Sequence, residues 1–182
     1  DTTIDGSNHL GSNGLVLQGP SHVVIKGLEL RNFSGAGVMI VNNIEEDIRV
    51  FGDLVLRNNI ISNMTEDAII VNLQEQDHAA IRNIEIVGNT LEDNGGGVGI
   101  IAGADVGASD NEISNVSIIS TTPAHSGYHI GIGLRAANTS GISRNTVSDI
   151  EIRGNQISGH TNVSILVDAA NDINSNDNTI SD

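Results

Sequence analysis

Asp93, His125 and His160, side chains able to move a proton or hold a metal, recur at nearly one phase of this chain, and Tyr128 and His129 stand close to His125. His125, Tyr128 and His129 fall within "HSGYHIGIG" (residues 125–133), and Tyr128 is the only tyrosine. Asp93 lies seven residues after Ile86, His125 seven after Ile118, and His160 eight after Ile152. Asn32 and Asn63 follow Ile25 and Leu56 at the same distance of seven. If those aliphatic residues are equivalent positions of a repeat, the side chains after them form a column on one turn. A His–Tyr pair beside a carboxylate can abstract and return a sugar proton; the His and Asp can alternatively hold a metal. The same residues also fit a plain polar turn, since turns collect polar side chains for backbone reasons. Glu45 and Asp47 in "EED", with Glu75 and Asp77 in "EQD", offer carboxylates of the kind calcium takes. A solvated acidic face is the plainer reading of those stretches.

What must position these residues is a repeat. One segment type alternates apolar and polar residues: "VVIKGLEL" (23–30), "LVLRNNII" (54–61), "IEIVGNTL" (84–91), "VSIISTTP" (116–123) and "IEIRGNQI" (150–157). With Ile25, Leu56, Ile86, Ile118 and Ile152 as equivalents, the separations are 31, 30, 32 and 34. A second type follows each first: "GVMIV", "AIIV", "VGIIA", "IGIGL" and "VSILV". From the reference residues to Ile40, Ile70, Ile100, Ile132 and Ile165 the offsets are 15, 14, 14, 14 and 13. Alternation predicts strands with one buried face. Units this short cannot bury that face alone and must stack on copies of themselves. The spacing therefore predicts an all-β single domain over residues 1–182, a β-solenoid of about six coils, 21 to 34 residues each. At roughly 4.8 Å per coil it is a rod of only ~30 Å.

The phrase N-x-[I/V/L]-[S/E] recurs at Asn59, Asn89, Asn111, Asn145, Asn155 and Asn178. Stacked coils turn such residues into ladders, in which each amide bonds to the one above, and a bend also suits the tolerance of Asn for left-handed angles. Asn59, Asn89 and Asn155 form one expected column, interrupted by Leu28 and Thr121; Asn111, Asn145 and Asn178 form another. Arg135 and Asp168 are expected as stacked neighbours making a surface ion pair of little stabilising value.

Composition narrows the functional classes. The chain is 38% hydrophobic but only 2% aromatic, so its core is Ile, Val, Leu and Ala. Its 21 Gly and β-branched segments argue against long helices. Net charge is −15, with a single lysine, Lys26, which disfavours nucleic acid and anionic membranes as partners. No apolar run reaches the roughly 18 residues of a membrane span. With no cysteine there is neither a disulfide nor a thiolate metal site. Five Asn-x-Ser/Thr sequons (Asn32, Asn63, Asn115, Asn138, Asn162) are about what this composition gives by chance. The start "DTTIDGSN" without an initiator Met, and the end "NTISD", read as uncapped. They suggest a window of a longer solenoid or a fibre subunit stacking head to tail.

"SHVVIKGLELRNFSGAGVMI" (21–40) and "TTIDGSN" (2–8) resemble right-handed parallel β-helix repeats, the superfamily of pectate-lyase-like enzymes and bacterial surface β-helix proteins. The resemblance covers essentially the whole chain and implies a single-stranded right-handed parallel β-helix. It implies little about activity, because one scaffold serves many tasks. The paired-aspartate, Gly-His-Gly and Arg-x-Lys patterns of polygalacturonases and the Asp-Pro-His-Glu of epimerases are missing. The expected function is thus a non-catalytic extracellular module, a stalk, adhesin or fibre segment at the cell surface. Its expected partners are a polysaccharide or further copies of itself. The competing expectation is a polysaccharide lyase or C5-epimerase using Tyr128, His129, His125, Asp93 and His160, with calcium as its one candidate cofactor.

Overall fold

The computed structural model describes residues 2–7, 12–19, 22–41, 50–73, 78–102, 110–125, 130–136, 144–159, 162–169 and 179–180. Within them the chain is all β and lays its strands into three parallel sheets. Sheet A holds β1 (Thr2–Asp5), β4 (Leu28–Arg31), β7 (Ile60–Ser62), β10 (Thr90–Asn94) and β13 (Thr122–His125). Sheet B holds β2 (Leu15–Gln18), β5 (Val38–Val41), β8 (Asp67–Leu73), β11 (Gly96–Ala102), β14 (Ile132–Arg135) and β16 (Ile165–Asp168). Sheet C holds β3 (Val23–Lys26), β6 (Val50–Arg57), β9 (Ala80–Val87), β12 (Glu112–Ile119), β15 (Thr146–Arg153) and β17 (Thr179–Ile180). The chain visits A, B and C in turn and pairs each strand with its counterpart in the next turn, which makes a β-solenoid. Five turns carry all three strands and the sixth is partial, slightly fewer than the expected six coils.

Sheet C follows the predicted register throughout. Ile25 pairs with Leu56, Leu56 with Ile86, Ile86 with Ile118 and Ile118 with Ile152. Leu56, Ile86 and Ile118 are fully buried, so this column is one wall of the aliphatic core. Sheet B departs from expectation. Ile70 pairs with Met39 and Gly99, not with Ile40 and Ile100, and it is only half-buried. The inward columns are Val38–Ile69–Val98–Ile132–Ile165 and Ile40–Val71–Ile100–Leu134–Val167. Sequence offsets miss this because the corner between the two strands varies in length. A shift of one residue exchanges the faces of a strand.

The corners explain the recurrent asparagines. Gly27, Asn58, Gly88, Ser120 and Gly154 all have positive φ, which bends the chain from sheet C into sheet A. The ladder asparagines follow directly after them and are not themselves left-handed. Asn89 Oδ1 accepts from the backbone N–H of Asn59 and from its Nδ2, both at 3.0 Å. Asn59 Oδ1 accepts from Leu28 N, and Asn155 Oδ1 from Thr121 N. Leu28 and Thr121, the two positions of the column that carry no amide, offer their backbone N–H groups to Asn59 and Asn155, and the Thr121 hydroxyl reaches Ile86 O at 3.4 Å. In the second ladder Asn145 Oδ1 accepts from Asn111 N and Nδ2, and Asn111 Oδ1 from Ala79 N. Asn178 lies outside the described residues. Asn94 adds an unforeseen rung, bonding Met64 N and Ile61 O.

Candidate functional site

The expected proton-transfer turn is reached only in part. Tyr128, His129 and His160 lie outside the described residues, as do the calcium candidates Glu45, Asp47, Glu75 and Asp77. Asp93 is exposed and left-handed (φ 53°), continuing a corner column of Asn32 and Asn63, whose φ values are 63° and 58°. Asn63 Nδ2 bonds Asn32 Oδ1, and Asn32 Nδ2 bonds Asp5 Oδ1. His125 does not stack on Asp93. The ladder between β10 and β13 slips between Glu92 and Asn94, so His125 pairs with Asn94 and Asp93 is left out of register. Equal distance along the sequence therefore did not give equal height, because β10 carries one residue more than β13 at this bend.

Two shallow grooves lie on the described surface. The first, of about 310 Å³, follows a bend within the long strands of sheet C, where Asp53, Asn83, Asn115 and Asp149 all take positive φ. Asn83 Nδ2 donates to Asp53 Oδ1, and Asn115 Nδ2 to Asn83 Oδ1, each at 2.8 Å. His22 Nδ1 stands 2.6 Å from Asp53 Oδ2 at the near end of this column. The second groove, of about 270 Å³, lies over sheet B. Gly99 and Gly133 are stacked in it, Ile101 and Ile130 flank them, and Asp67, Arg135 and Asn162 supply polar groups. Arg135 and Asp168 are register partners, as expected. The only legible signal for this groove was glycine inside a strand, in "VGIIA" and "IGIGL".

Charged side chains also bond along the axis. Arg144 makes a two-pronged contact with Asp110 in the coil before it, at 2.6 and 2.7 Å, and His78 Nε2 stands 3.4 Å from the same carboxylate. The Arg144 hydrogen bonds hold Asp110 below the usual carboxylate range, against the raising effect of partial desolvation. Burial raises Glu112, but hydrogen bonds from Ser114 and Arg82 and the charge of Arg82 outweigh it, and the net shift is downward. Asp5 is held well below its ordinary value by the Ser7 hydroxyl, Asn32, the Ser7 N–H and Arg31. Among the described residues no group of three or more His, Asp or Glu side chains is arranged to hold a metal ion.

These depressed carboxylates stabilise the fold when ionised. Their contribution is complete above the unfolded-state carboxylate range and is lost as pH falls through that range toward the depressed folded values. Acid also relieves the repulsion of fifteen net charges, so the expected result is stated as a difference. The stability gap between wild type and Asp110→Asn, measured by urea unfolding, is present at pH 7 and shrinks steadily on acidification below about pH 4. A gap that widens in acid would refute the assignment.

No protein-family model matches the chain, and no curated protein or solved structure matches it either.

Proposed function

We propose that this chain is a structural module of an extracellular parallel β-helix, a stalk, adhesin or fibre segment that can lie against polysaccharide. The observation that carries this reading is the direction of the polar bonding. Buried amides of Asn59, Asn89, Asn111 and Asn145 and the half-buried amide of Asn155 each bond to the adjacent coil, and Arg31–Asp5, Arg82–Glu112 and Arg144–Asp110 do the same outside. Such polar networks over-determine the height of every coil and make a stiff rod. The acidic, lysine-poor surface keeps such a rod soluble in salt.

The competing lyase or epimerase chemistry gives the decisive experiment. Alginate, pectate and polygalacturonate are incubated with the protein, with and without calcium. The expected result is no unsaturated product by ultraviolet absorbance and no C5 inversion by proton NMR. Turnover that disappears in a Tyr128→Phe, His129→Ala double variant would overturn the structural reading. Immunogold labelling of intact source cells checks the location; label confined to the cell interior would overturn it too.

A further inference from the structure

Cations are scarce in this chain, 8 Lys plus Arg against 23 Asp plus Glu, so a carboxylate is within easy reach of almost any of them. Arg31, Arg82, Arg144 and Arg153 each hold one. Lys26 and Arg57 do not: both are exposed, and among the described residues neither makes an ion pair or a side-chain hydrogen bond. They are also register partners, the last residues of β3 and β6, so two like charges abut on successive rungs at about 4.8 Å. Like charges directly opposite one another destabilise a sheet. The next two rungs of this column bring no relief, since they carry Val87 and Ile119. A chain rich in acid thus keeps a stacked cationic pair without neutralising it, at some expense to its own stability.

The surroundings of the pair say what would neutralise it. Two residues back on the same strands stand Val24, 57% exposed, and the half-buried Val55. Val55 is also one end of the groove over sheet C, which continues past Asn83, Asn115 and Ser117. Asp53 at that end is taken up by His22 and by the Asn83 amide. Glu85 is the nearest other acid of the sheet, one rung on and diagonal to Arg57. Along the axis the surface therefore offers two free cations, an apolar step, and then a run of amides and a hydroxyl. Each of those amides keeps donor or acceptor capacity beyond its ladder bond. An anionic sugar chain carries the matching three features: acid groups, the C–H faces of its rings, and hydroxyls.

We infer that Lys26 and Arg57 bind the acid groups, carboxylate or sulfate ester, of an anionic polysaccharide that lies along the groove of sheet C. The inference rests on the polysaccharide contact proposed above and gives it a place and a charge. Arginine grips an oxyanion through two parallel N–H donors, and lysine adds a point charge beside it. Because the chain as a whole repels polyanions, the attachment is local and weakens as salt screens it.

Isothermal titration calorimetry of the full chain tests this, with polygalacturonate, dextran sulfate and uncharged dextran as probes. EDTA is present throughout, so that calcium cannot bridge two polyanions. Wild type is expected to bind at least one polyanion at low salt, to release it near about 0.5 M NaCl, and to ignore dextran. The carboxylate and sulfate probes decide between the two acid groups. Lys26→Gln with Arg57→Gln is expected to weaken binding at least about tenfold, roughly 1.4 kcal/mol. Its melting temperature stays at or above that of wild type, because the abutting charges are gone. Arg153→Gln is the control. It removes a cation from the same column, but one already paired with Glu151 and three rungs from Arg57, beyond a screening length of about 10 Å. Its affinity is expected to stay within about twofold of wild type. Failure to bind either polyanion overturns the inference, as does binding that the double variant retains. Salt-indifferent binding of all three probes also overturns it, while leaving the polysaccharide contact itself standing. A polyanion that binds through Lys26 and Arg57 and is then cleaved upholds the site and overturns the non-catalytic reading instead.

Discussion

Asn89→Leu is expected to lower the unfolding free energy by about 3–6 kcal/mol, a large part of the roughly 5–15 kcal/mol that holds a domain together. Leucine keeps the branching of asparagine and exchanges the amide oxygen and nitrogen for two larger methyl groups, so the variant loses every polar contact and adds some crowding. Asn89 is 1% exposed and makes three bonds to the coil before it. Its Oδ1 accepts from Asn59 N and Nδ2, and its Nδ2 donates to Leu56 O at 2.9 Å. Leucine removes them all: the buried Asn59 N–H and Leu56 carbonyl lose these partners, and the Asn59 amide keeps only its bond to Ile25 O at 3.1 Å. Each such orphan costs about 1–3 kcal/mol, because water cannot reach it in the folded state. Asn63→Gly is the control: Asn63 is exposed and left-handed, which glycine tolerates, and its side chain bonds Asn32 Oδ1 at 3.3 Å, so its loss is within about 1 kcal/mol. Urea unfolding followed by far-ultraviolet circular dichroism measures both. Equal losses for the two variants would show that the ladder is ornamental.

The same ladder shows what the sequence made legible. Amide stacking needs only a side chain of fixed length at the same height in each coil. It therefore leaves a residue type at a constant phase, and Asn59, Asn89 and Asn155 were found at heights that sheet C confirms. Inward columns in sheet C were equally legible, because strict alternation of Ile, Val and Leu with polar residues marks one buried face. The corner that turns each coil was misplaced by one residue. The left-handed angle belongs to Asn58, Gly88 and Gly154, whose chemistry varies from coil to coil, so no residue type betrays it.

The candidate site was harder to place for a related reason. A column of side chains outside the core is defined by height alone, and height accumulates the errors of every corner before it. Asp93 and His125 share a sequence phase, yet the extra residue in β10 moves them apart. The groove over Gly99 and Gly133 escaped notice for the opposite reason. It is made by missing side chains, and a pattern read from apolar residues passes over positions that carry none.

The one-residue error in sheet B yields the second large effect. Ile69 is fully buried and lies in the column Val38–Ile69–Val98, whereas Ile70 faces outward between Met39 and Gly99. Truncating a buried isoleucine removes its transfer free energy and leaves a cavity that rigid neighbours cannot close. Here those neighbours are held at fixed height by the sheets and ladders around them, so little collapse is expected. Ile69→Ala should therefore cost about 3–4 kcal/mol. Ile70→Ala removes the same atoms from a half-exposed position and should cost about 1 kcal/mol or less. Measured as paired urea midpoints on monomeric protein at low concentration, the two differ by a factor of three or more. The sequence offsets alone make Ile70 the core residue and reverse the order. A larger loss at Ile70 than at Ile69 would move every outward residue of β8 to the inside and overturn the register of sheet B.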